Sequence, residues 1–254
     1  MIFDCNAFIG EWPFRRLAHN TGDGLLRLMD KRGVDKAAVS SLFALFYKDC
    51  AVANRRLAEE IKGRGDRLVP VGTINPAFPG WEDDLKECVE SLGARAIKFF
   101  PAHHNYRLND PVCAEAVLRI TNYGLAVILS HMFEDPRVHH WLLNIRVPEA
   151  QEMADFLKKS SGEKIVLASC TYPLAAQVAK LAGESRFCVE TSKLEGPVQC
   201  VQRMVETIGA ERVLLGTAMT FMNAAGALMA AQQPEISAGA RAAILSGNAE
   251  RIFK

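Results

Sequence analysis

Five of the six histidines, His103, His104, His131, His139 and His140, lie in one part of the chain, and Glu134, Asp135 and Arg137 share the stretch from Ser130 to His140. Imidazole exchanges protons near neutral pH and is the commonest metal ligand. With carboxylates nearby, such a set suits proton transfer or a divalent metal. The plainer account of His139-His140 is a solvated loop pair whose rings point apart. Lys98 ends the apolar run Ala94 to Lys98, on the same alternation as Ala94 and Ala96. A buried ammonium needs an anion, supplied either by a substrate carboxylate or by an acid on a neighbouring strand. Glu190, after Phe187-Cys188-Val189, is one candidate acid, and its own partner is either Lys98 or Arg95. A buried acid either pairs or titrates high, and the second case makes a general base. Arg15 and Arg16 follow Trp12-Pro13-Phe14. They form either a cationic lid or a wet edge beside packed aromatics.

The elements that position these groups alternate along the whole chain. Strand candidates are 1–5, 35–42, 68–74, 94–100, 124–130, 164–169, 186–191 and 211–216. Most are dense in branched and aromatic residues, as strands covered on both faces are. Helical stretches fall between them: 24–32, 51–62, 81–92, 111–121, 148–159, 173–182, 197–208 and 235–245. Several open on Pro or close on Gly. Eight strand–helix units predict an α/β fold, a (β/α)₈ TIM barrel, as one domain over residues 1–254. The competing arrangement is an open doubly wound sheet, and no G-x-G-x-x-G or P-loop follows a strand to support nucleotide binding there.

The chain has 254 residues, 49% of them hydrophobic and 23% charged, with a formal net charge of +1. That near-neutral balance favours neither nucleic acid nor an anionic membrane. Seven cysteines without a C-x-x-C motif read as free thiols in a reducing compartment. The first residues form a strand rather than a leader. The expectation is a cytoplasmic protein with no membrane or nucleic-acid partner, with a homo-oligomer left open.

Three stretches carry a resemblance. They are Met1 to Gly10; Ala96-Ile97-Lys98-Phe99-Phe100-Pro101 with Tyr106 to Pro111; and Leu214-Leu215-Gly216-Thr217 with Gly247 to Phe253. Together they resemble the amidohydrolase superfamily, in the branch of aminocarboxymuconate semialdehyde decarboxylase and 2-pyrone-4,6-dicarboxylate hydrolase. The resemblance implies a metal-activated water held by a His-x-His pair on the first strand, histidines on the fifth and sixth strands and an aspartate on the eighth. Here those positions hold Asn6 and Phe8, Ser130, Ser169 and Ala218. No metal and no other cofactor is therefore expected at that centre. The eighth-strand aspartate that serves the metal-free branch as general base is likewise replaced, by Ala218.

The residues left at the strand ends give the expected site. His131, Glu190 and Lys98 are the catalytic candidates. Asn6, Arg15, Arg16, His104, Tyr106, Arg137 and Ser169 are the substrate-binding candidates, with Arg146 a further cation. The expected function is a hydrolase or related lyase acting on a small carboxylated substrate without the usual metal. Two alternatives stand beside it. One is a non-catalytic barrel that binds a small anion or serves an assembly. The other is a hydrolase with a relocated metal on His103, His104 and His131.

Overall fold

The computed structural model describes residues 1–143, 145–160, 164–232 and 235–254. Eight parallel strands run in sequence order around one sheet. They are β1 (Phe3–Ile9), β2 (Lys36–Ser41), β3 (Leu68–Thr73), β4 (Ala96–Phe99), β5 (Ala126–Ser130), β6 (Ile165–Ala168), β7 (Cys188–Glu190) and β8 (Val213–Leu214). Cys5 N donates to Leu215 O at 2.8 Å and Ala218 N to Asn6 O at 2.8 Å, which draws β1 against the end of β8. The result is the expected (β/α)₈ barrel. The helices are α1 (Gly22–Arg32), α2 (Ala51–Ile61), α3 (Trp81–Glu90), a short α4 (Pro101–His104), α5 (Pro111–Asn122), α6 (Ala150–Lys159), α7 (Tyr172–Ala182), α8 (Cys200–Ile208), α9 (Ala224–Gln232), α10 (Ala238–Ala242) and α11 (Asn248–Ile252).

Three elements depart from the sequence reading, the first being the short α4, which falls between the expected helices 81–92 and 111–121. The alanine-rich α9 has no clear apolar stripe, so periodicity does not reveal it. The single helix expected over 235–245 is instead α10, a π-helical turn over Ala243–Gly247, and α11.

The barrel interior is packed with small and branched side chains, as such barrels require. Cys5, Ala38, Val71, Ala96, Ala126, Ile128, Val166 and Leu214 form this layer, and Ala249, Ile252 and Phe253 of the C-terminal segment close its lower end. The opposite residues of each strand, such as Val39, Ile97, Val127 and Leu167, pack outward beneath the helices. Among the described residues no helix is long and apolar enough to cross a membrane.

The first strand carries an irregularity that matters for the site. Its register against β2 shifts between Asp4 and Ala7, the signature of a bulge, which re-aims side chains. Asp4 holds the bulge together. Its carboxylate accepts from Asn6 N (2.9 Å), Thr217 N (3.0 Å) and Thr217 Oγ1 (2.5 Å).

Candidate functional site

The C-terminal ends of the strands carry a buried polar centre inside the barrel. Lys98 Nζ, fully buried, donates to Asn6 Oδ1 and to Ser40 Oγ, both at 2.7 Å. Asn6 Nδ2 donates in turn to Glu190 Oε1 at 3.2 Å. The amide of Asn6 thus bridges an ammonium on β4 and a carboxylate on β7. Three more donors converge on Glu190: Ser169 N (2.7 Å), Ser192 Oγ (2.7 Å) and Ser192 N (2.6 Å). Ser169 turns its N–H inward through a left-handed φ of 57°, an uncommon conformation for a residue with a Cβ. Gly216 gives Glu190 its room, since a Cβ there would lie 2.0 Å from Oε2. Burial pulls the Lys98 ammonium down to about 8, against the raising pull of Glu190. Burial also pushes the Asp4 carboxyl up to about 6, against its bonds to Thr217 and Asn6.

An aromatic cover lies over this centre. Lys98 Nζ sits 4.2 Å from the centroid of the Phe8 ring, a cation–π contact. Phe8 meets Phe133 edge-on at 4.9 Å. Trp12 packs on Phe133 at 5.5 Å and on Phe221 at 4.7 Å, and Phe133 on Phe221 at 4.2 Å. The cluster includes Leu42, Leu45, Phe100 and Ala218.

The structure brings together Asn6, Lys98 and Glu190, with the backbone of Ser169, and separates the other expected residues from them. Ser130 is inward on β5, so His131 follows the pleat to the other side. Its Nε2 lies 3.0 Å from the carbonyl of Pro148, and burial lowers it to about 4. The convergence of His131 with Lys98 and Glu190 therefore does not occur. His104 has Nε2 2.7 Å from Ala44 O. Tyr106 packs edge-on against Phe99 at 6.5 Å, in the layer outside the barrel. Both lie on the short helix and loop after β4, where no strand alternation fixes direction. Arg137 pairs with Asp135 at 2.5 Å at the surface, Arg16 is exposed, and Arg146 clamps Glu152 with two bonds of 2.9 Å. Arg15 lies 4.3 Å over the Phe221 ring. Asp4 and Ser40 belong to the polar centre and were missed, and Ser192, a polar strand end after β7, joins them through Glu190. The available signal was a carboxylate inside an apolar first strand and a serine in phase with Ala38.

The Tyr106 hydroxyl is buried and has no hydrogen-bond partner among the described residues. Tyr106→Phe is therefore expected to leave stability unchanged or raise it by up to about 1 kcal/mol. Chemical denaturation measures this, and a loss above about 1 kcal/mol would place a binding partner on that hydroxyl.

The residues at the strand ends do not fit a divalent metal. Asn6 Oδ1 is committed to Lys98, Phe8 offers carbon, and the Lys98 ammonium already places a positive charge between these two side chains. Among the described residues no three His, Cys, Asp or Glu side chains converge to hold one elsewhere, the set His103, His104 and His131 included.

Comparisons with known proteins place the chain among related barrels. The sequence profile of the amidohydrolase family matches residues 9–254. No curated protein matches the sequence. Three solved structures illustrate the structural likeness. A 2,6-dihydroxybenzoate decarboxylase from Rhizobium aligns with TM-score 0.74 and 19% identity, over 99% of this chain and 97% of that one. A dihydroxybenzoic acid decarboxylase from Polaromonas, with bound manganese and the inhibitor 2-nitroresorcinol, aligns with TM-score 0.69 and 18% identity, over 99% and 96%. A probable 2-pyrone-4,6-dicarboxylic acid hydrolase from Acinetobacter baumannii, with citric acid bound, aligns with TM-score 0.68 and 13% identity, over 99% and 98%. At these identities the likeness is one of fold.

Proposed function

The chain belongs to the amidohydrolase family, matched over residues 9–254, and from that membership we propose that it is an enzyme acting on a small carboxylated substrate. The reaction is that of a hydrolase or related lyase, and it does not pass through the metal centre typical of the fold. One observation carries this reading: Lys98 and Glu190 are both fully buried at the C-terminal end of the barrel and are joined through Asn6. Burying two opposite charges contributes little to stability compared with a well-packed apolar pair. Their place is the end of the barrel where such folds work. In this reading Lys98 and Glu190 handle protons and Asn6 sets their spacing. The decarboxylases and the hydrolase of similar fold are named for small carboxylated compounds, which supports the substrate class.

The test is turnover after chelation. Purified protein, treated with a chelator, is assayed with 2,6-dihydroxybenzoate, 2-pyrone-4,6-dicarboxylate and close analogues. Activity is expected to survive chelation and to fall about 10²–10⁴-fold in Glu190→Gln, the range of a lost general acid–base. Turnover that appears only on adding a divalent metal would overturn the metal-free mechanism. A second reading, a barrel that binds a small anion without converting it, is favoured by the aromatic cover that closes off Lys98 and Glu190. It predicts calorimetric binding of these compounds with no product in the same assays.

A further inference from the structure

Above the aromatic cover lies a cleft of about 310 Å³ on the C-terminal face, lined by Arg15, Phe133, Glu134, Lys193 and Phe221 among others. These residues come from the loops after β1, β5, β7 and β8. The volume is at the lower end of the range for small-molecule sites. Phe133 belongs to both structures, since it lines the cleft and touches Phe8, the ring that covers Lys98.

The polar groups of the cleft are arranged with little slack. Arg15 is fixed over the Phe221 ring, and its Nη2 donates to Phe221 O at 2.7 Å. Lys193 is buried at 4% exposure, with Nζ donating to Met132 O at 3.1 Å. Glu134 is 8% exposed, and its Oε2 is buried without a hydrogen-bond partner among the described residues. A buried carboxylate oxygen left unpaired is costly and marks a missing donor. Burial lowers the Lys193 ammonium and raises the Glu134 carboxyl, the latter against the pull of His139, Arg15 and Lys193. Opposite perturbations of two groups lining one cleft are typical of working sites. The other acids at the rim are engaged or wet: Asp135 pairs with Arg137, and Glu195 is exposed.

We propose that this cleft is the recognition site for the substrate, and that the ligand is a small flat carboxylate bearing a hydroxyl or N–H donor. Arg15 and Lys193 hold the carboxylate, Phe133 and Phe221 receive the flat body, and Glu134 Oε2 accepts the ligand's hydroxyl or N–H hydrogen. The assignment rests on the reading that the protein acts on small carboxylated compounds. It adds the residues that select them, outside the Lys98 centre. The charges agree with it, because the cleft pairs two cations for the carboxylate with one acceptor for the donor group.

The experiment is calorimetric titration of benzoate and 4-hydroxybenzoate into the unmodified protein, Arg15→Met, Arg15→Lys and Glu134→Leu. A charge-assisted contact of the usual strength predicts about a 10–150-fold loss of affinity for both compounds in Arg15→Met. Arg15→Lys is expected to recover part of that loss, which separates charge from misfolding. Glu134→Leu is expected to abolish the preference for 4-hydroxybenzoate over benzoate while leaving benzoate affinity within about threefold. If the unmodified protein binds both compounds and neither Arg15→Met nor Glu134→Leu changes that binding, the recognition site is elsewhere and this inference falls, while the proposed function stands. If the unmodified protein binds no carboxylate and turns none over, the proposed function falls and this inference with it.

Discussion

Acidification from pH 6.5 to pH 4.5 is expected to remove stability steeply, and His103, His104 and His131 are the cause. Burial lowers them to about 3, 4 and 4, while in the unfolded chain each titrates near its ordinary value of about 6.5. A group depressed in the folded state contributes stability above its unfolded value and loses it as pH falls toward its folded one. At pH 5 unfolding therefore takes up nearly three protons through these rings. Asp4 works in the opposite sense. Burial raises it to about 6, so the folded state holds a proton that the unfolded state has shed, and between pH 6 and 4 it offsets about one. Asp84, also raised to about 6 by burial, and Glu134, raised by burial, offset in the same sense but by less, because neither is fully buried and water screens them. The balance is an uptake of between about one and two protons, or roughly 1.4–2.7 kcal/mol lost per pH unit. Denaturant unfolding across this range measures the slope. His103 is the ring to remove, because its Nε2 has no hydrogen-bond partner among the described residues and it packs among Phe46, Phe100 and Phe133. His103→Phe is expected to flatten the slope by about one proton. An unchanged slope in that variant would show that His103 is already charged in the folded protein.

Strand alternation made the barrel interior legible. Two-residue periodicity put Lys98 in phase with Ala96, and the structure points both inward. The resemblance located the end of the first strand, where Asn6 reaches Lys98 and Glu190. The loops were opaque for the same reason. His104 and Tyr106 lie past the last strand residue of β4, and no period carries direction through a four-residue helix. His131 is instructive, since it directly follows Ser130, and alternation rightly sends it away from the interior that Ser130 faces. The clustering of histidines in sequence reflected their apolar packing rather than shared chemistry: His103 and His104 meet Phe100, and His140 stacks on Phe14 at 4.4 Å. Lys193 and Glu134 approach only because β7 and β5 end on the same face, a juxtaposition that closure of the barrel creates and no local spacing announces.

The charged centre sets the second large effect. Glu190→Ala is expected to destabilise the protein by about 3–5 kcal/mol, the range for removing one partner of a buried ionic pair. The physical reasons are specific. Asn6 Nδ2, Ser169 N, Ser192 N and Ser192 Oγ lose their common acceptor. Lys98 loses the carboxylate that holds its proton on against burial, and the space kept open by Gly216 is left unfilled. Lys98→Met in the same background should then restore part of the loss, because it removes the charge that Glu190 had balanced. The double variant is expected to be more stable than the sum of the two single changes by about 1–3 kcal/mol, the coupling of groups that share one network. The pH profile separates this from a mere packing defect. In the unmodified protein Lys98 is lowered to about 8, so between about 8 and the ordinary lysine value it contributes a rise in stability with pH, because the folded state releases this proton before the unfolded state does. The seven thiols, all raised by burial, act in the opposite sense and outweigh it, so the Lys98 share is read as the difference between the unmodified protein and Lys98→Met. Without Glu190 that share should begin at lower pH, and Lys98→Met should show a steeper alkaline loss of stability than the unmodified protein. Strict additivity of the two substitutions, together with an alkaline profile unmoved by either, would mean that Asn6 transmits no interaction between the charges, and Lys98 and Glu190 would then have to be treated as two separate buried groups.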